Sequence, residues 1–172
     1  VTTEKNSYKA LSIIIATGLV SRKANIKDED KFLGKGVSYC VLCDGPLFRG
    51  KDVLVVGGGD SAIKGAVALK EMGAKKIYVV HRRDEFRAEK YNTNKLTGIG
   101  AELILSSVVT EIIGDKFVKG VKIKNMKTNH TKNLPIGGVF IEIGYVPTSE
   151  LSKAVGVELD KDGFVKINDK YE

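Results

Sequence analysis

Cys40-Val41-Leu42-Cys43-Asp44 places two thiols three residues apart with a carboxylate directly after the second. If a helix starts there, both sulfurs share one face. A helix N-terminus and a neighbouring thiol then lower a cysteine pKa toward neutrality. Asp44 is positioned by sequence as proton acceptor and donor for thiol–disulfide exchange. Shortly after comes Val53-Leu54-Val55-Val56 followed by Gly57-Gly58-Gly59-Asp60-Ser61-Ala62. In a strand–loop–helix, Gly57 permits the tight turn, Gly59 removes the side chain that would hold a pyrophosphate off the backbone, and Ala62 lets the helix pack close to the strand. The helix amides then face the anion, so Gly58, Asp60 and Ser61 join them as nucleotide-binding candidates. A second apolar run, Lys76-Ile77-Tyr78-Val79-Val80, ends in His81-Arg82-Arg83, with Arg87 about one turn further on. An NAD site carries an acid about twenty residues beyond the glycines. Guanidinium forks suit a phosphate instead, so NADP is preferred over NAD. Hydride chemistry and disulfide chemistry are adjacent in this chain.

Each motif has a plainer alternative. The glycines are also a turn, the arginines an exposed basic turn paired with Asp84 and Glu89, and the cysteines two small core residues. The order strand, loop, helix, strand favours the nucleotide site. Zinc needs four ligands, and the only other soft candidates, His81 and His130, are distant in sequence and in unlike contexts, so no metal site is expected. Two cysteines without a secretion signal make a redox pair or half a metal site, not a disulfide framework. The net charge of +7 is spread over a Lys-rich surface, which argues against nucleic acid. The longest apolar run is too short to cross a bilayer, so the expectation is a cytoplasmic protein without a membrane segment. At 172 residues, 42% hydrophobic and 28% charged, the chain can hold one domain with a core.

These motifs need an α/β framework to position them. Residues 9–17 read as a strand with Ile13, Ile14 and Ile15 buried, ended by Gly18. Residues 21–31 read as a linker. Residues 53–56, a helix over 61–72 stopped by Gly73, and 76–80 form a βαβ unit whose buried strands mark a parallel sheet covered on both faces. A helix over 85–96, weakened by Asn92-Thr93-Asn94, leads to a strand at 102–105. Segments 108–113, 120–123 and 131–134 read as antiparallel hairpins, and 139–143 as a further apolar strand ending at Gly144. Ile143 and Gly144 lie at the strand edge where open α/β sheets bind ligands. Tyr145 follows there, as plausibly an ordinary surface residue; His130 reads as solvent-facing. A short helix near Leu151 and a turn at Asp160-Lys161-Asp162-Gly163 close the chain. The fold expected is α/β, a Rossmann-like NADP-binding domain with a parallel central sheet and an antiparallel hairpin layer.

Taken together, Ala16-Thr17-Gly18, Cys40-Val41-Leu42-Cys43-Asp44-Gly45, Gly57-Gly58-Gly59-Asp60-Ser61-Ala62, His81-Arg82-Arg83-Asp84-Glu85-Phe86-Arg87-Ala88 and Phe140-Ile141-Glu142-Ile143-Gly144-Tyr145-Val146-Pro147 resemble the low-molecular-weight thioredoxin reductase family of pyridine nucleotide-disulfide oxidoreductases. The resemblance implies a flavoprotein in which NADPH passes a hydride to FAD. The reduced flavin then reduces the Cys40–Cys43 disulfide, and the dithiol reduces a thioredoxin-like protein. It implies Cys43 as the sulfur nearest the flavin and the attacking thiol with Cys40 resolving, or the reverse. Asp44 would be the acid/base residue, and Arg82, Arg83 and Arg87 would hold the NADP phosphate. Thr17, Gly18, Ile143 and Gly144 join the cofactor-binding set. Tyr145 and Thr148 stand where the family commonly has His and Asn.

The family also implies an organisation. Residues 1–20 resemble a remnant of a discontinuous FAD domain, 21–149 an NADPH-binding domain carrying the dithiol, and 150–172 a return segment toward the FAD domain. The family's Gly-rich FAD loop and its C-terminal Gly-Asp motif have no counterpart before Lys170-Tyr171-Glu172. The expectation is that this chain by itself holds no stable FAD and that homodimerisation belongs to the intact enzyme. Rival readings are a stand-alone NADP-binding or redox-sensing module without flavin, and a NADP oxidoreductase whose cysteines are incidental. A peroxiredoxin or glutaredoxin-like protein could replace the thioredoxin-like partner.

Overall fold

Hydrophobic runs of β-branched residues build the centre of the molecule. The computed structural model describes residues 1–170. It divides the chain into two compact units, one formed by residues 21–144 and the other by the segments before and after them.

Within the larger unit, β2 (Val37–Ser38), β3 (Asp52–Val56), β4 (Lys76–Val80), β5 (Glu102–Ile104) and β9 (Gly138–Ile141) form a parallel sheet in the order β2-β9-β3-β4-β5. Alternate residues of each strand serve opposite faces. Val53 and Val55 of β3, Ile77 and Val79 of β4 and Phe140 of β9 pack against the helix α2 (Asp60–Glu71) and Leu96 of α3 (Lys90–Gly98). Leu54, Tyr78, Val80, Val139 and Ile141 face the other way. There they meet Val109, Ile112, Val121 and Ile123 of an antiparallel sheet, β6 (Ser107–Gly114), β7 (Val118–Asn125) and β8 (Thr131–Pro135). The parallel strands are therefore covered on both faces, as their uninterrupted apolar sequences require. Among the described residues no helix is long and apolar enough to cross a membrane.

The β3–α2–β4 unit forms where the sequence places it. Gly73 stops α2 in the left-handed region at φ +97°, a conformation open to glycine at no steric cost. In the smaller unit, β1 (Leu19–Ser21) pairs with β10 (Tyr145–Pro147), and the short helix α4 (Glu150–Ala154) follows. The turn at 160–163 is closed by Asp160, which accepts from the N–H groups of Asp162 and Phe164.

Four expectations need correction. Residues 9–17 form no strand; Ile13 and Ile14 are 63% and 92% exposed. An apolar run becomes a strand only where a neighbour takes its backbone hydrogen bonds, and no described strand lies against this one. The presumed linker at 21–31 contributes Ile26 and Glu29 to the buried interior. The helix expected from 85 starts at Lys90, because the N–H groups of Arg87 and Glu89 are drawn to Gly58 and Asp60 instead. β9 ends at Ile141, where its partner strand β3 turns away. The larger compact unit ends at Gly144, and Tyr145 begins β10. Of the C-terminal residues Lys170-Tyr171-Glu172, Tyr171 and Glu172 lie outside the described residues.

Candidate functional site

β3 ends at Val56 and the chain turns at Gly57, whose φ of +152° and surroundings both demand glycine. A Cβ there would stand 2.2 Å from the Glu142 carbonyl oxygen and 2.8 Å from the Ala62 Cβ. A Cβ on Gly58 would fall on the His81 ring, 2.3 Å from Nδ1. Gly59 differs: its Cβ position is open space. Gly57 and Gly58 are thus required by the protein, whereas the freedom at Gly59 is available to a ligand approaching the N-terminus of α2. Ala62 is fully buried beneath the loop.

The arginine turn is tied to this loop by three hydrogen bonds. The Arg87 N–H donates to the Gly58 carbonyl at 2.9 Å, and Asp60 Oδ1 accepts from the Glu89 N–H at 3.2 Å and from Asn92 Nδ2 at 2.6 Å. The Asn92 bond, followed by the Glu89 N–H, holds the Asp60 carboxyl below its ordinary range. Asn92 is buried, so the residue that weakened the helix in sequence serves as the latch of the turn. Asp84 pairs with Lys127 at 2.8 Å, away from the arginines. Arg82, Arg83 and Arg87 have no ion pair among the described residues. His81 is buried and stacks on Phe86, ring centroids 5.6 Å apart. Burial lowers its pKa, and the charges of Arg83 and Arg82 lower it further. Its buried Nε2 has no hydrogen-bond partner among the described residues.

A cleft of about 760 Å³ opens along the ends of β3, β4 and β9. It brings together Gly57, Gly58, Gly59, Asp60 and Ser61 from the loop with His81, Arg82, Arg83 and Arg87 from the turn, and Ile143 and Gly144 after β9. Asp60 lines the cleft, but its carboxylate is engaged by the turn. Three charged residues were missed in sequence: Arg22 and Lys23, hidden in the polar stretch, and Glu142, a lone acid in an apolar run. Burial pushes the Glu142 carboxyl above its ordinary range. Thr17 and Gly18 belong to the other unit and are not among the residues lining this cleft. Within that unit the Thr17 hydroxyl donates to the Thr148 carbonyl.

Cys40 and Cys43 form a disulfide, with Cα atoms 5.3 Å apart. Cys40 caps the short helix α1 (Val41–Asp44), its sulfur accepting the Cys43 N–H at 3.1 Å. Ser38 is buried; its hydroxyl donates to Asp44 Oδ2 at 2.6 Å and accepts the Cys40 N–H at 3.0 Å. One serine therefore orients both the first cysteine and the carboxylate. Cys43 is exposed and Cys40 half-buried, so an incoming nucleophile meets Cys43 first. Next to the pair, the Tyr39 hydroxyl donates to the buried Glu29. Burial, then the Glu29 bond, raises its pKa well above the ordinary tyrosine value. Glu29 also accepts the N–H groups of Ala24 and Ile26, tying the cleft-lining segment to the residue preceding the dithiol. Val41 packs on α2, where a Cβ at Gly65 would stand 3.0 Å from its Cγ2.

A family profile described as pyridine nucleotide-disulphide oxidoreductase matches residues 1–172. The chain is 38% identical to thioredoxin reductase of Streptomyces coelicolor over 162 residues, 94% of this chain and 50% of that protein. It is 39% identical to the bifunctional thioredoxin reductase/thioredoxin of Mycobacterium leprae, over 97% of this chain and 36% of that one. The crystal structure of Lactococcus lactis thioredoxin reductase superimposes with a TM-score of 0.87 at 37% identity, covering 96% of this chain and 55% of the other. The chain spans about half the length of the curated relatives it matches.

Proposed function

Since the chain belongs to the pyridine nucleotide-disulphide oxidoreductase family, we propose that it is the NADPH-binding and dithiol-bearing part of a thioredoxin reductase-like flavoenzyme, delivering electrons from NADPH to the Cys40–Cys43 disulfide and on to a thioredoxin-like protein. The observation that carries this reading is the set of three cations, Arg82, Arg83 and Arg87, without an ion pair among the described residues and beside a glycine loop that opens a helix. Asp84 and Asp60, two of the acids near the turn, are engaged by Lys127 and by the Glu89 N–H and Asn92 instead.

In this reading Gly57, Gly58, Gly59 and the first amides of α2 take the pyrophosphate. The arginines take the 2′-phosphate as charge-assisted pairs, each contributing about 1.5–3 kcal/mol. Reduction of the disulfide consumes two electrons and two protons and yields two thiols. Asp44, oriented by Ser38, exchanges a proton at a cysteine sulfur. The exposed Cys43 attacks the partner's disulfide and Cys40 completes the exchange. FAD, when present in the intact enzyme, supplies the two-electron passage between nicotinamide and disulfide. Among the described residues one Gly-rich strand–loop–helix is formed and the nucleotide takes it, so no step is assigned to the flavin here. Residues 1–20, with Thr17 and Gly18, and 150–172 are assigned to the FAD domain, and homodimerisation to the intact enzyme.

Arg82→Ala and Arg87→Ala test the reading by calorimetric titration. Each should weaken NADPH binding about tenfold and leave NADH binding unchanged. Equal losses for both nucleotides would rule out the phosphate assignment.

A further inference from the structure

Two acids line the cleft, and only one has a structural task. Asp60 latches the arginine turn, whereas the Glu142 carboxylate makes no hydrogen bond or ion pair among the described residues. Its position is fixed by the backbone on both sides. The Glu142 N–H donates to the Val56 carbonyl at 2.8 Å, and its own carbonyl abuts Gly57. The side chain runs toward α2, with Cγ 3.9 Å from where a Cβ of Gly65 would stand. The other charged groups of the lining, Arg22, Lys23, Arg82, Arg83 and Arg87, are cationic and suit a polyanion. A half-buried carboxylate among them repels phosphate and attracts a donor.

Strand order says which part of the ligand supplies that donor. The glycine loop follows the central strand β3; the arginine turn follows β4 on one side of it, and Glu142 follows β9 on the other. A dinucleotide with its pyrophosphate on the loop and its 2′-phosphate on the arginines sends its nicotinamide toward β9. The amide of that ring carries two N–H donors. Resting on the NADP(H) reading above, we infer that Glu142 accepts a hydrogen bond from the nicotinamide carboxamide and so fixes the direction in which the dinucleotide lies. Glu142 is a specificity-determining contact at the reactive end of the ligand, opposite the phosphate clamp.

The test is calorimetry on the 172-residue chain with three probes: NADPH, the reduced 3-acetylpyridine analogue of NADPH, whose methyl ketone has no N–H, and adenosine 2′,5′-bisphosphate, which lacks the nicotinamide end. The wild-type chain should prefer NADPH over the analogue about tenfold. Glu142→Ala should bring NADPH down to the analogue's affinity and leave the bisphosphate unchanged. A Glu142→Ala chain that keeps the wild-type preference overturns the inference. If that variant loses the bisphosphate, its fold is at fault and Glu142→Gln replaces it; the preference should then shrink severalfold, and an unchanged preference overturns the inference. Failure of the wild-type chain to bind the bisphosphate overturns the nucleotide reading itself.

Discussion

The glycine-loop cleft and the dithiol turn lie in the same unit but are built differently. The cleft is assembled from the ends of three parallel strands, latched by Asp60 and Asn92, and carries its own cations and its own carboxylate. The dithiol turn is a four-residue helix steadied by one buried serine, with its second cysteine open to solvent. One region is prepared to hold a ligand still. The other leaves a sulfur accessible from solvent. The two tasks should therefore separate under mutation.

The largest expected effect comes from the glycine turn. Gly57→Ala drives a Cβ into the Glu142 carbonyl at a positive φ, which should lower stability by about 2–4 kcal/mol and abolish nucleotide binding. Urea unfolding and calorimetry check it; a variant of native stability would mean the turn is looser than described. Cys43→Ser separates the regions from the other side. Disulfide reduction by the holoenzyme should vanish while NADPH affinity stays within about twofold of wild type; a large loss of affinity would show that the regions are coupled. Asp60→Ala should weaken NADPH severalfold more than NADH, since it frees the arginine turn without touching the glycines. An equal effect on both nucleotides would confine Asp60 to the loop.

The smallest effect is a pH dependence. The folded-state pKa of His81 lies below its ordinary 6.5, so above that pH the group is neutral in both folded and unfolded chains. As pH falls below 6.5 the unfolded chain takes up the proton first and stability declines, until the lowered folded-state pKa is passed. Urea midpoints should fall between pH 7.5 and 5.5, and His81→Gln should flatten part of that slope. An unchanged slope would place the titrating group elsewhere.

Much of this was legible because local chemistry and tertiary structure agree. Residues 53–80 carry strand, turn and helix signals that need no distant partner, and the three glycines announce the loop. What was not legible depends on contacts. The run Ile13-Ile14-Ile15 matches Val53-Leu54-Val55 in pattern, yet only the second finds neighbours for its backbone. The delayed start of α3 follows from bonds to Gly58 and Asp60, which no periodicity reveals. Glu142 and Arg22 gain meaning only when three strand ends meet. Thr17 and Gly18, proposed through resemblance alone, are absent from the cleft lining.

The most direct measurement is the affinity of the 172-residue chain for NADPH and for NADH, side by side in low salt. Three arginines without an ion pair among the described residues, lining the cleft, predict NADPH binding at least about tenfold tighter. Equal affinity for the two, or binding of neither, would contradict the account at its centre.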